Sequence, residues 1–125
     1  EIRLSLVGSE MCIRDRAKGQ TKELKTYYKT MYGLSVAQKV YLSIKDNLKT
    51  ITCYPGIGYI EPTVADYPQC FRTFVQYPNL KIVYWIEDGA VKIAMFFDTR
   101  QEPEKLRYTI EHSSDWVCED KEPYG

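Results

Sequence analysis

Hydrophobic positions follow two periods along this chain. Between Leu24 and Ile51 they recur at three- and four-residue steps, and from Cys70 to Phe97 they alternate with polar residues in short runs. The first spacing lines one face of a helix and the second one face of a strand. Leu24, Tyr27, Tyr28 and Met31 form the stripe of a first helix, and Gly33 follows where a left-handed cap would end it. Ser35 is predicted to open a second helix, with Gln38 as its capping-box partner. Ala37, Val40, Tyr41, Ile44, Leu48 and Ile51 lie along its apolar face, and Pro55-Gly56 stops it. Helices joined by so short a link form an antiparallel hairpin whose apolar stripe must turn toward a sheet. Ile57 to Pro68 has no period and reads as a loop.

Asp88-Gly89 is a strong two-residue hairpin signal. It sets Ile86 opposite Val91, Trp85 opposite Lys92, Tyr84 opposite Ile93, Val83 opposite Ala94, Ile82 opposite Met95 and Lys81 opposite Phe96. If Pro78-Asn79 closes the preceding hairpin in the same way, Gln76 faces Lys81, Val75 faces Ile82 and Arg72 faces Trp85. Both registers place Val75, Ile82, Tyr84, Ile86, Val91, Ile93 and Met95 on a core face. The opposite face then carries Arg72, Phe74, Gln76, Lys81, Val83, Trp85, Lys92, Ala94 and Phe96. Cations interleaved with aromatics suit single-stranded RNA, whose bases stack on rings while its phosphates meet Arg or Lys. The same residues also suit an ordinary half-covered sheet, with Arg72 and Trp85 as a cation–π pair. The last strand delivers Arg100 into a turn before a short helix, a corner that suits a phosphate or an acidic partner.

At 125 residues, 44% hydrophobic and 27% charged, the chain is predicted to form one domain. No apolar run is long enough for a membrane span, and none has the flanks of a signal peptide. Cys12, Cys53, Cys70 and Cys118 are widely spaced, with only His112 to help them, so no metal or other cofactor is expected. Reduced thiols in a soluble cytoplasmic protein are the expected state. Val7 to Arg16 resembles the translation of sequencing-adaptor read-through, which sets residues 1–16 aside as a non-native segment. Ile2, Leu4 and Leu6 nevertheless alternate as a strand would. Residues 17–112 form the expected domain. Residues 113–125 are an acidic tail, expected to be disordered, which brings the net charge to zero. His112 beside it reads as a cation at a helix C-terminus.

The order helix, helix, strand, strand, strand, helix, the run Tyr54-Pro55-Gly56-Ile57-Gly58, Ile82 to Ile86 before an Asp-Gly turn, and Phe97-Asp98-Thr99-Arg100-Gln101-Glu102-Pro103-Glu104-Lys105-Leu106 together resemble the RelE/ParE family of bacterial type II toxin–antitoxin toxins, the plasmid stabilisation proteins. The resemblance implies an α+β fold, with an N-terminal helical hairpin packed on a small antiparallel sheet and a short C-terminal helix after the last strand. It also implies a cognate antitoxin, docked over the open sheet face, in place of the last helix, or as an added strand at an edge vacated by a lost first strand. One branch of the family cleaves messenger RNA on the ribosome without a metal, by attack of a ribose 2′-hydroxyl on the adjacent phosphate; another poisons DNA gyrase. Carried over from the cleaving branch, Arg100, Lys81 and Arg72 are the candidate catalytic residues, with Phe74, Gln76, Trp85, Lys92 and Phe96 contacting RNA or a partner. The tyrosine of that branch's last helix is replaced by Leu106, and Tyr108, on another side of the helix, does not inherit its role. An mRNA endonuclease, a gyrase inhibitor and an inactive antitoxin-binding remnant are the readings left open.

Overall fold

The computed structural model describes residues 10–13, 15–76 and 79–112. Ile2, Leu4, Leu6, Cys118 and the acidic tail lie outside the described residues. Five strands form one sheet in the order β1-β5-β4-β3-β2, with β1 (Glu10–Ile13), β2 (Tyr59–Ile60), β3 (Arg72–Gln76), β4 (Leu80–Glu87) and β5 (Ala90–Asp98). Three helices accompany it: α1 (Asp15–Tyr32), α2 (Leu34–Cys53) and α3 (Glu104–Glu111). The architecture is α+β, as the pattern predicts.

The helical hairpin is tighter than expected. Gly33 alone links α1 to α2, and its φ of 97° is open to glycine at no steric cost. Its carbonyl already accepts from the Ala37 N–H, so the second helix starts at Leu34, and the expected Ser35 cap does not form. The edge of β5 that was expected to be vacant is filled by β1, which runs parallel to it from Ala90 to Ile93 and buries Ile13. Where β1 ends, Gln20 of α1 accepts the Phe96 N–H at 2.7 Å.

Asp88 and Gly89 both have positive φ, as a type I′ turn requires, and Ile86↔Val91, Trp85↔Lys92 and Tyr84↔Ile93 pair as predicted. Beyond them a bulge at Ala94 shifts the register, pairing Val83 with Met95, Ile82 with Phe96 and Lys81 with Phe97. The preceding hairpin corrects the second register. Gln76 pairs with Leu80 and Arg72 with Tyr84, so the connection is one residue longer than a two-residue turn. A slip of one residue exchanges the faces. Val75, expected in the core, is 51% exposed, whereas Phe74 packs against the helix-side core. Ile86 is also exposed, and Met95 is buried on the other face.

The expected open face is closed. On the helix side, Leu80, Ile82, Tyr84, Val91, Ile93 and Phe96 pack with Ile44, Leu48 and Ile51 of α2. On the other side, Val83, Trp85, Ala94, Met95 and Phe97 pack under Leu106 and Ile110 of α3, with Val64 and Phe71 from the long connection. That connection is more ordered than a featureless loop: it contributes single 3-10 turns at Pro55–Ile57 and Pro62–Val64, with β2 between them.

Candidate functional site

The described surface has a cleft of about 350 Å3 where the helical hairpin meets the ends of the strands. Tyr27, Tyr28 and Tyr32 of α1 form one wall; Val36, Lys39, Val40 and Ser43 of α2 form another; Gln76, Asn79, Leu80 and Arg100 complete it. The spacing of Tyr28 and Tyr32, one turn apart, brings their rings to 5.9 Å, and Tyr27 meets the Tyr28 ring edge-on at 5.3 Å. Gln76 is fixed from α2: its carbonyl accepts from Asn47 Nδ2, and its amide donates to Ser43 Oγ at 3.0 Å.

Arg100 stands at the mouth of this cleft. Asp98, the last residue of β5, accepts from the Arg100 backbone N–H at 2.9 Å, from Nε at 3.0 Å and from Nη2 at 2.7 Å. Two of the five guanidinium N–H bonds are thereby used, the side chain stays 57% exposed, and the head is held in one direction. The Arg100 bond holds the Asp98 carboxyl below the usual carboxylate range. Burial raises the Tyr28 hydroxyl above its ordinary value, against the pull of Arg100, so Tyr28 stays a protonated donor at neutral pH. Thr99 anchors the corner by donating its N–H and hydroxyl to the Asn79 carbonyl, at 2.8 and 3.1 Å.

The other sequence-predicted site residues lie elsewhere. Arg72 and Lys81 occupy opposite faces of the sheet, because Arg72 pairs with Tyr84 whereas Lys81 pairs with Val75. Arg72 donates from Nη1 to the Gly58 carbonyl at 2.6 Å and to that of Gly56 at 3.4 Å, which ties the Tyr54–Gly58 run to the sheet. Lys81 Nζ meets the buried Glu61 carboxylate at 3.2 Å. The expected convergence of Arg72, Lys81 and Arg100 on one concave surface is therefore not observed. Phe96 and Trp85 are buried, Phe74 is partly buried, Lys92 lies across from Trp85, and Gln76 alone of the expected contact residues lines the cleft with Arg100. The expected Arg72–Trp85 pair is replaced by Trp85 edge-on to Phe71 and donating Nε1 to Glu87 at 2.9 Å.

Sequence reasoning missed the tyrosine wall, Lys39 and Glu61. The wall was legible in part: three tyrosines within six residues bring more hydroxyls than a dry core accepts. Glu61 carried a weaker signal, since it precedes Pro62-Thr63 as a cap would. It accepts from Thr63 N and Oγ1, from Thr73 Oγ1 at 2.6 Å and from Lys81. Burial pushes its carboxyl up, but the bonds from Thr73, Thr63 and Lys81 outweigh that and hold it below the usual range. Among the described residues no group of His, Cys, Asp and Glu could hold a metal ion, and no helix is long and apolar enough to cross a membrane. Cys53 and Cys70 are exposed free thiols.

No protein-family model matches the chain, and no curated protein matches its sequence. A chain of the solved structure described as the chromosomal ParDE TA system from P. aeruginosa matches its fold with a TM-score of 0.60 at 15% sequence identity. The match covers 70% of this chain and 92% of that one. The chain thus shares the fold of a ParDE-system chain, and Arg100 beside the tyrosine cleft is its candidate site.

Proposed function

We propose that this chain is the toxin of a type II toxin–antitoxin module and that its toxic surface is centred on Arg100. The observation that carries the reading is the placement of Arg100. The segment most specific to the RelE/ParE resemblance, Phe97 to Leu106, delivers an oriented, exposed guanidinium to the mouth of a cleft. The likeness to a ParDE-system chain supports the same reading.

The target we propose is messenger RNA on the ribosome. A ribose 2′-hydroxyl would attack the adjacent phosphate, its proton passing to a base, and the P–O5′ bond would break as the leaving oxygen takes a proton from water, giving a cyclic phosphate and a free 5′-hydroxyl end. Arg100 would offset charge on the phosphate as it develops. Removing one such donor costs about 2.7–4 kcal/mol of barrier, a factor of about 10²–10³. In this reading Arg72 and Lys81 support the scaffold. The antitoxin would add a strand at the β2 edge, where Tyr59 and Ile60 are exposed.

Induced expression of wild type and Arg100→Ala in a bacterial host, with 5′ ends of cellular RNA mapped, tests the proposal. Growth arrest with new 5′ ends, both lost in Arg100→Ala, is the expected result. Arrest with intact RNA would move the target to a protein such as gyrase, and no arrest in wild type would contradict the toxin reading.

A further inference from the structure

We infer that the tyrosine cleft binds one nucleotide unit of single-stranded RNA, its base stacked on Tyr32, whose ring stands edge-on to Tyr27, and its phosphate at Lys39 and Arg100. The inference rests on the RNA reading of this site and goes beyond it, because the aromatic rings expected to meet RNA lay on the sheet, where Trp85 and Phe96 are buried. Tyr27 and Tyr32 are exposed instead, and they share the cleft with two cations. A volume of about 350 Å3 falls at the small end of ligand pockets and holds a single nucleotide-sized group. Smaller hollows continue from it along α1 past Leu24, so the choice of a nucleotide rests on the exposed ring beside two cations rather than on the length of the groove.

The chemistry of the walls fits the two halves of a nucleotide. Phenol rings stack on any base, which makes such a subsite tolerant of sequence. Arg100 keeps N–H donors beyond those that Asp98 and Tyr27 take, and Lys39 adds a second positive charge. Asp98 lowers the net attraction but fixes the direction of the guanidinium, so the phosphate meets an oriented donor.

Fluorescence anisotropy of a 5′-labelled mixed-sequence hexaribonucleotide, titrated with the purified full chain at several salt concentrations, tests the inference. Tyr32→Leu is expected to weaken binding roughly tenfold, the range of one lost base–aromatic stack, without changing the salt slope. Tyr32→Phe should bind as wild type does. Lys39→Ala should weaken binding and reduce the slope by about 0.7, the value for one phosphate contact on a single strand. Wild-type binding that is absent, unchanged in Tyr32→Leu and Lys39→Ala, or replaced by capture of an acidic leucine-containing peptide overturns the inference. The two readings fail separately. RNA cleavage in cells that persists in both variants removes the subsite alone, whereas the expected oligonucleotide binding without cleavage in cells removes the target alone.

Discussion

At the scale of single residues, backbone approach decides more than side-chain identity. A Cβ on Gly58 would lie 2.6 Å from the Thr73 carbonyl oxygen and 2.7 Å from the Tyr84 hydroxyl. The first is a backbone atom in a sheet and cannot step aside. Gly58→Ala is therefore expected to cost about 1–3 kcal/mol, measured by denaturant unfolding. Tyr84 accepts from the Gly58 N–H at 2.9 Å and donates to the Pro55 carbonyl at 2.6 Å, so Tyr84→Phe should cost about 1–3 kcal/mol by leaving buried groups unpaired. The run Tyr54 to Gly58 stands out in the sequence, but its reason does not. Gly58 is small because of a strand carbonyl at Thr73 and a tyrosine 26 positions away, distances no local pattern reports.

At the scale of elements, the helices and the Asp88-Gly89 hairpin were legible because each is encoded within a few neighbouring residues. The β3–β4 register was not. Strand β4 is apolar on both faces, with Ile82 and Tyr84 on one and Val83 and Trp85 on the other, so alternation could not choose between two registers one residue apart. The bulge at Ala94 escaped for the same reason, since Ile93 to Phe97 is continuously apolar. The β3–β4 shift by itself puts Arg72 and Lys81 on opposite faces of the sheet. The short helix α3, predicted from the segment after Arg100, closes the second core through Leu106 and Ile110. Leu106→Ala should cost about 2–5 kcal/mol, visible in thermal unfolding. Arg107 pins the same helix to the long connection by a two-pronged bond to Asp66 at 2.7 and 2.9 Å. Because that pair is exposed, Arg107→Ala is expected to leave the melting temperature close to that of wild type.

At the scale of the whole molecule, a sheet covered on both faces leaves its polar chemistry at the margins. One margin is structural. Glu61 is 1% exposed, and its bonds join the long connection to β3 and β4. Its carboxyl is held below its unfolded value, so its contribution is present in full above about pH 4.3, the ordinary Glu value, and is lost as pH falls through the folded value. Glu61→Gln should therefore give a melting temperature that is lower at neutral pH and that falls less steeply below about pH 4.3 than that of wild type. Asp66 and Asp98 are shifted in the same direction and remain in the variant, so some acid dependence persists. The other margin is the cleft at Arg100, whose guanidinium is exposed and pairs with Asp98.

That division of labour among the cations gives the most direct test of the account: melting temperature and growth arrest compared for Arg72→Ala, Lys81→Ala and Arg100→Ala. The account predicts that Lys81→Ala lowers stability most, because it takes the cation from a buried carboxylate that keeps only its bonds from Thr63 and Thr73. Arg72→Ala should lower it by about 1 kcal/mol. Arg100→Ala should leave the melting temperature close to that of wild type, as loss of an exposed pair does, yet abolish arrest. Arrest that survives Arg100→Ala, or that is abolished by Lys81→Ala with the melting temperature unchanged, would contradict it.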